Sequence, residues 1–212
     1  SGQVKDQTIG FPLSQRGFEN KKMAALMDKC INTGVEDLMD ATSFVVKNAA
    51  LWNADPARIT LCGGSAGAID ALTTEYRLAN RHPQARRHLP KGFRYAAVIS
   101  LAGAIWHPLG EPLVWKSAPC PMMIVHGNAD GLVPYIDDIY AESGYAFTGD
   151  MALVESLDRM KVPYMALTIE GGDHSYSFYP LENMQSLLAA FISRFAINRE
   201  QAAARATEKP IL

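Results

Sequence analysis

Residues 58–71 run Arg-Ile-Thr-Leu-Cys-Gly-Gly-Ser-Ala-Gly-Ala-Ile-Asp-Ala, an order that few folds accommodate. Ile59, Thr60, Leu61 and Cys62 form a short apolar, β-branched run of strand type that stops at Gly63, Gly64, Ser65, Ala66 and Gly67. A helix-forming segment follows at once. A strand that turns so sharply into a helix leaves no room for side chains beside the apex and forces the apex residue into strained backbone geometry. The result is a Gly-x-Ser-x-Gly pattern that holds the Ser65 hydroxyl clear of the sheet, as a nucleophile requires. The plainer reading of the same residues is a small-residue turn that lets a helix pack close to a sheet. An acid and a base at later strand ends decide between the two.

The rest of the chain supplies the context. Residues 1–17 are polar and punctuated by Gly10, Pro12 and Gly17, as in an exposed connection. Met23, Leu26, Met27, Cys30 and Ile31 fall at helical spacing and predict a helix over 19–32, ended by Gly34. Val35, Leu38, Met39, Thr42, Val45, Val46 and Ala49 share one face of a second predicted helix over 35–52. Asn53, Asp55 and Pro56 stop it. After the serine turn a helix is expected to about Leu78, and His82, Pro83, His88 and Pro90 mark a returning loop.

Further strands are expected at 95–101, 122–126 and 162–169. Each ends in a glycine-bearing loop. The last predicted helix carries Met184, Leu187, Leu188, Phe191, Ile192 and Phe195, and a polar, Ala-rich tail is expected over 201–212. Short apolar strands alternating with helices predict an α/β fold, a mostly parallel sheet with helices on both faces. In such sheets the ligand site lies beyond the carboxyl ends of the strands.

At 212 residues and 48% hydrophobic, the chain is long enough to bury a substantial core and is most simply one domain. Its 20 basic and 22 acidic residues are spread along it, which points away from a nucleic-acid partner. Arg81, Arg86, Arg87, Lys91 and Arg94 form a local basic stretch that reads as a solvated connection. Cys30, Cys62 and Cys120 lack metal-type spacing, and Cys62 and Cys120, beside apolar strands, read as buried thiols. No apolar run approaches the ~20 residues needed to span a bilayer. A cytoplasmic and an exported protein both fit this composition, and it assigns no oligomeric state.

A serine hydroxyl needs a base within hydrogen-bonding reach and a third group that orients the base. His174 is the candidate base, because it alone among the five histidines occupies the last strand-to-helix loop. His82 and His88 read as surface residues, His107 as a possible pocket residue, and His126 as a structural hydrogen-bonding group. Asp130 follows the penultimate strand and is the candidate acid, in the order Ser, Asp, His. Asp137 and Asp138 are rivals, expected where the next helix begins, a position that favours carboxylates for dipole reasons alone. Asp173 reads as a loop-shaping residue. Gly64, Trp106, His107, Tyr135, Tyr176 and Phe178 are candidates for lining a substrate pocket, with core packing the alternative for the aromatic ones.

Three stretches carry a resemblance. They are residues 55–68 around Gly63-Gly64-Ser65-Ala66-Gly67, then His126-Gly127-Asn128-Ala129-Asp130-Gly131-Leu132-Val133-Pro134, then Gly172-Asp173-His174. Together they resemble the α/β-hydrolase superfamily, and within it the carboxylesterase and lipase-like enzymes, over residues 35–195. The resemblance implies Ser65 as nucleophile, Asp130 as acid and His174 as base. It implies the backbone N–H of Ala66 as one oxyanion donor and no metal or organic cofactor.

One departure stands out. Family members carry three or four strands and a His-Gly-Gly type loop before the nucleophile strand. Here a polar segment and two predicted helices precede Ile59, and no His-Gly-Gly occurs. The expectation is therefore the C-terminal three-quarters of a larger hydrolase that cleaves a small-molecule ester. A prolyl-oligopeptidase-like peptidase and a non-catalytic hydrolase-fold binding module are the alternatives.

Overall fold

The computed structural model describes residues 17–110 and 113–209. A five-stranded parallel sheet has the order β1 (Thr60–Gly64), β2 (Ala97–Leu101), β4 (Met122–Gly127), β7 (Tyr164–Ile169) and β8 (Ala203–Glu208). Period-two alternation splits its side chains between two cores. Val98, Met122 and Ile124 face one side, and Ala97, Ile99, Leu101, Met123 and Val125 face the other. The first side is covered by α1 (Lys21–Asn48), α2 (Ala66–Ala79) and α4 (Asp150–Met160). The second is covered by α5 (Gln185–Phe191) and the π-helical turn Ile192–Ile197, through Leu188, Phe191, Phe195 and Ala196. Fully burying side chains of this size stabilises the fold by about 1.5–3 kcal/mol each. The α/β architecture expected from the strand and helix pattern is the one present.

Several local expectations differ. The predicted helices over 19–32 and 35–52 are one helix, α1, capped by the Asn20 side chain, which accepts the Lys22 N–H at 2.9 Å. Gly34 does not end it. A side chain there would stand 2.5 Å from the Asp70 carboxylate, so the glycine lets α1 and α2 approach closely. That packing outweighs the ~1 kcal/mol intrinsic cost of a mid-helix glycine. β1 extends through Gly63 and Gly64, which pair with Ser100 and Leu101. α2 ends at Ala79, and the expected return loop contains a short helix, α3 (Pro83–His88).

A second sheet was not legible in the pattern. β3 (Ala104–Pro108), β6 (Tyr145–Gly149) and β5 (Asp138–Tyr140) pair antiparallel in that order. Asp137 and Asp138 therefore do not open a helix. Asp137 accepts the Gly149 N–H at 3.0 Å, and Asp138 accepts the Tyr140 hydroxyl at 2.8 Å. The helix of this region begins later, at Asp150.

Of the polar segment expected as a tail over 201–212, residues 210–212 lie outside the described residues and residues 203–208 instead form β8, parallel to β7 from Tyr164↔Ala203 to Ile169↔Glu208. All its residues are exposed, as an edge strand held by backbone pairing allows. Arg205 secures it to the Tyr164 hydroxyl at 2.7 Å and to Asp158. Cys120 is buried as expected, but Cys62 is exposed on β1, which pairs with β2 alone among the described residues. No helix among the described residues is long and apolar enough to cross a membrane.

Candidate active site

The parallel register aligns the carboxyl ends of β1, β2, β4 and β7 at one edge, with Gly64 beside Leu101 and Gly127 beside Ile169. Ser65 follows β1 directly, with φ 55° and ψ −123°, a conformation that L-residues seldom adopt. Its N–H donates to the Leu101 carbonyl at 2.9 Å, and its carbonyl accepts the N–H groups of Ala68 and Ile69 at 2.9 and 3.1 Å. The strain is held by these bonds and by the glycines. A side chain on Gly63 would strike the Gly67 carbonyl at 2.2 Å, and one on Gly64 would strike the Ser177 carbonyl at 2.3 Å. Ala66 and Gly67 are exposed where α2 begins, so the first N–H groups of that helix have no intrahelical acceptor.

His174 opens a short 3₁₀ turn, His174–Ser177, capped by Asp173. Asp173 accepts the N–H of Ser175 at 3.0 Å and its hydroxyl at 2.6 Å, which is the loop-shaping role expected of it. This turn brings His174 Nε2 to 2.8 Å from Ser65 Oγ across 109 positions of sequence. His174 Nδ1 lies 2.7 Å from Asp130 Oδ2. The His174 side chain retains 20% exposure while that of Asp130 has none, so the series runs from an accessible end to a dry one.

Asp130 is held from all sides. Oδ1 accepts the N–H groups of Leu132 and Val133 at 2.7 and 3.0 Å. Oδ2 accepts from both His174 and His126, the latter Nε2 at 3.2 Å. Burial alone would raise the Asp130 pKa, but the four donors win and hold its carboxyl well below the usual carboxylate range. His126 is itself fully buried, and its Nδ1 lies 2.7 Å from Asp150 Oδ2. Burial pushes the Asp150 carboxyl up, against the hydrogen bond to His126. His126 thus does more than the single structural bond expected of it. Asp150 was not among the candidates, because its partner His126 lies 24 positions earlier and nothing beside it in sequence points there.

The expected pocket residues are dispersed. Trp106 lies in an aromatic core with Phe18, Tyr140, Phe147 and Tyr145, stacked on the last at 4.8 Å. His107 donates from Nδ1 to the Pro108 carbonyl at 2.9 Å and accepts the Thr148 hydroxyl at Nε2 at 2.8 Å. Tyr135 sets its ring edge-on to His126 at 5.6 Å and bonds Thr168 through its hydroxyl at 2.8 Å. Tyr176 is buried in the second core beside Tyr179, and Gly64 is backed by the Ser177 carbonyl. Phe178 remains exposed next to Gly64. The other histidines are structural. His82 caps α3, and His88 joins Asp40 on α1 at 2.7 Å. Among the described residues no group of three or more His, Cys, Asp or Glu is arranged to hold a metal ion.

No protein-family model matches the chain, and no curated protein matches it by sequence. Solved structures do. A truncated carbohydrate esterase from gut microbiota superposes with a TM-score of 0.53 at 16% identity, over 76% of this chain and 68% of that one. MGS-M1, an α/β hydrolase from a Medee basin deep-sea metagenome library, gives 0.51 at 20% identity, over 76% and 64%. The carboxylesterase Cest-2923 from Lactobacillus plantarum WCFS1 gives 0.51 at 15%, over 74% and 68%. The matched part therefore spans about two thirds of each of these proteins, and the chain has the α/β-hydrolase fold.

Proposed function

We propose that the chain is a serine hydrolase that cleaves carboxylic esters through an acyl-enzyme. The observation that carries this reading is the unbroken series from Ser65 Oγ to His174 Nε2 at 2.8 Å and from His174 Nδ1 to Asp130 Oδ2 at 2.7 Å. Ser65 Oγ attacks the ester carbonyl carbon while its proton passes to His174 Nε2. The carbonyl oxygen becomes an oxyanion, and the Ala66 N–H at the head of α2 is a donor for it. When the tetrahedral species collapses, the bond to the alcohol oxygen breaks and His174 returns the proton to that oxygen. Water then repeats the sequence on the acyl-enzyme, releasing the acid and free Ser65.

Asp130 acts by accepting the Nδ1–H, which leaves the lone pair of Nε2 facing Ser65 and stabilises the imidazolium formed during attack. Small acyl esters, including acylated sugars, are the substrate class that fits. The carbohydrate esterase and carboxylesterase among the similar structures support that choice. The test compares hydrolysis of p-nitrophenyl acetate and butyrate with that of dipeptidyl p-nitroanilides, using the protein and its Ser65→Ala variant. Ester turnover that disappears in the variant is expected, with little amide cleavage. Ester turnover unchanged by Ser65→Ala would overturn the reading, and preferred amide cleavage would redirect it to peptidase chemistry.

A further inference from the structure

His126 and Asp150 have no role in the steps above, yet they form the dry end of the same hydrogen-bonded series. His126 is the last residue but one of β4 and is 0% exposed, and Asp150 opens α4 and is 1% exposed. The imidazole has a carboxylate oxygen at each nitrogen, Asp130 Oδ2 at 3.2 Å from Nε2 and Asp150 Oδ2 at 2.7 Å from Nδ1. A carboxylate oxygen can only accept. An unprotonated Nε2 would face Asp130 lone pair to lone pair with both side chains buried, and a buried polar atom left without its hydrogen bond is destabilising. Both contacts are satisfied when Nε2 carries a proton and one further proton lies between Nδ1 and Asp150. Drawn as imidazolium with carboxylate, or as imidazole with carboxylic acid, the proton count is the same and Nε2–H donates to Asp130.

We propose, on the reading of Ser65, His174 and Asp130 given above, that His126 and Asp150 are positioning residues: Asp150 fixes the protonation of His126, whose Nε2–H holds Asp130 ionised and turned toward His174.

The surroundings agree with this assignment. The charged and titratable groups around His126 are Asp130 from the loop after β4, Asp150 from α4 and Tyr135, whose ring stands edge-on to it. Arg205 of β8 shares with His126 and Asp150 the lining of a cavity of about 200 Å³. Burial alone would lower the His126 pKa, but its bonds to the two carboxylates win and push it up to about 9. Asp130 accepts four hydrogen bonds, so its carboxylate cannot rotate without breaking several at once. Its orientation sets the tautomer of His174.

A buried ion pair that serves only stability can be replaced by apolar residues of similar size with little loss. The double variant His126→Leu/Asp150→Leu separates the two roles. It is expected to keep its fold, judged by its thermal midpoint, and to lose about 10–100-fold in kcat for ester cleavage with KM changed less than about twofold, a loss of the size seen when groups that orient metal-binding side chains are removed. A folded double variant with kcat within about twofold of the parent overturns the proposal.

The single variant Asp150→Asn gives a second readout by ¹⁵N NMR of the His126 ring. In the parent protein the ring is expected not to titrate between pH 5 and 8, and in Asp150→Asn to titrate within that window. Should the double variant not fold, a ring that titrates identically with and without Asp150 overturns the proposal. Failure of the esterase reading is distinguishable, because it shows as absent ester turnover in the parent while the NMR result stands by itself.

Discussion

A side chain added at Gly127 would stand 2.1 Å from the carbonyl oxygen of Gly172, so the loop that carries Asp130 and the loop that carries His174 meet backbone to backbone. The same loops exchange hydrogen bonds from the Ala129 N–H to the Gly172 carbonyl at 3.0 Å and from the Gly171 N–H to Asn128 at 2.7 Å. The distance between acid and base is therefore set by main-chain packing. Gly127→Ala is expected to push the loops apart, with about 1–3 kcal/mol lost in chemical denaturation. The shift should also cost ester turnover up to ~10²-fold, as small misplacements of reacting groups do. A variant with parental stability and kcat would show that the contact is not limiting.

Ser65 holds a positive φ of 55° that glycine adopts without strain. Ser65→Gly is expected to abolish turnover and to raise the thermal midpoint by an amount equivalent to about 1 kcal/mol, because relief of strain exceeds the entropic cost of glycine. Scanning calorimetry measures it. A lower midpoint would mean that the bond to His174 outweighs the strain.

Glu75 offers a prediction about pH and stability. The side chain is buried, one oxygen accepts the Cys120 N–H at 2.8 Å, and the other has no hydrogen-bond partner among the described residues. Burial pushes its pKa from 4.5 up to about 7, against the hydrogen bonds to Cys120 and the charge of Arg94. Because the folded-state value is the higher one, this group's contribution is fully present below pH 4.5 and is lost as pH rises through 7. Glu75→Gln removes the titration. The stability difference between parent and variant should shift against the parent by on the order of 3 kcal/mol between pH 4.5 and 8, measured by urea denaturation at both. A difference independent of pH would contradict the burial argument.

Asp130 is held ionised by its four donors, so its part in turnover is to orient His174. Asp130→Asn is expected to fold and to lose ~10³–10⁴-fold in kcat through the wrong His174 tautomer. Parental kcat in Asp130→Asn would show that the acid does not orient the base.

How much of this the sequence disclosed depends on the range of the interaction. The β1–Ser65–α2 turn is local, written in consecutive small residues, and it was legible. β1, β2, β4 and β7 of the main sheet were legible too, because residues such as Ile99 and Ile124 lie in runs that are apolar on both faces. Gly34 misled because its meaning lies in the approach of Asp70 from another helix. β8 was hidden because an exposed edge strand needs no apolar pattern, the β5–β6 hairpin because β5 is only three residues long, and β3 because it takes its partner β6 from a distant segment. Asp150 was hidden for the same reason, since its partner lies 24 positions earlier on a strand. Trp106 and Tyr176 showed aromatic character but not direction, and both point into cores.

The central claim is that Ser65 is an activated nucleophile. A fluorophosphonate probe followed by peptide mapping measures this directly. The account predicts one modified residue, Ser65, with labelling that falls sharply in His174→Ala. Folded protein in which Ser65 stays unmodified, or is modified equally with and without His174, would contradict it.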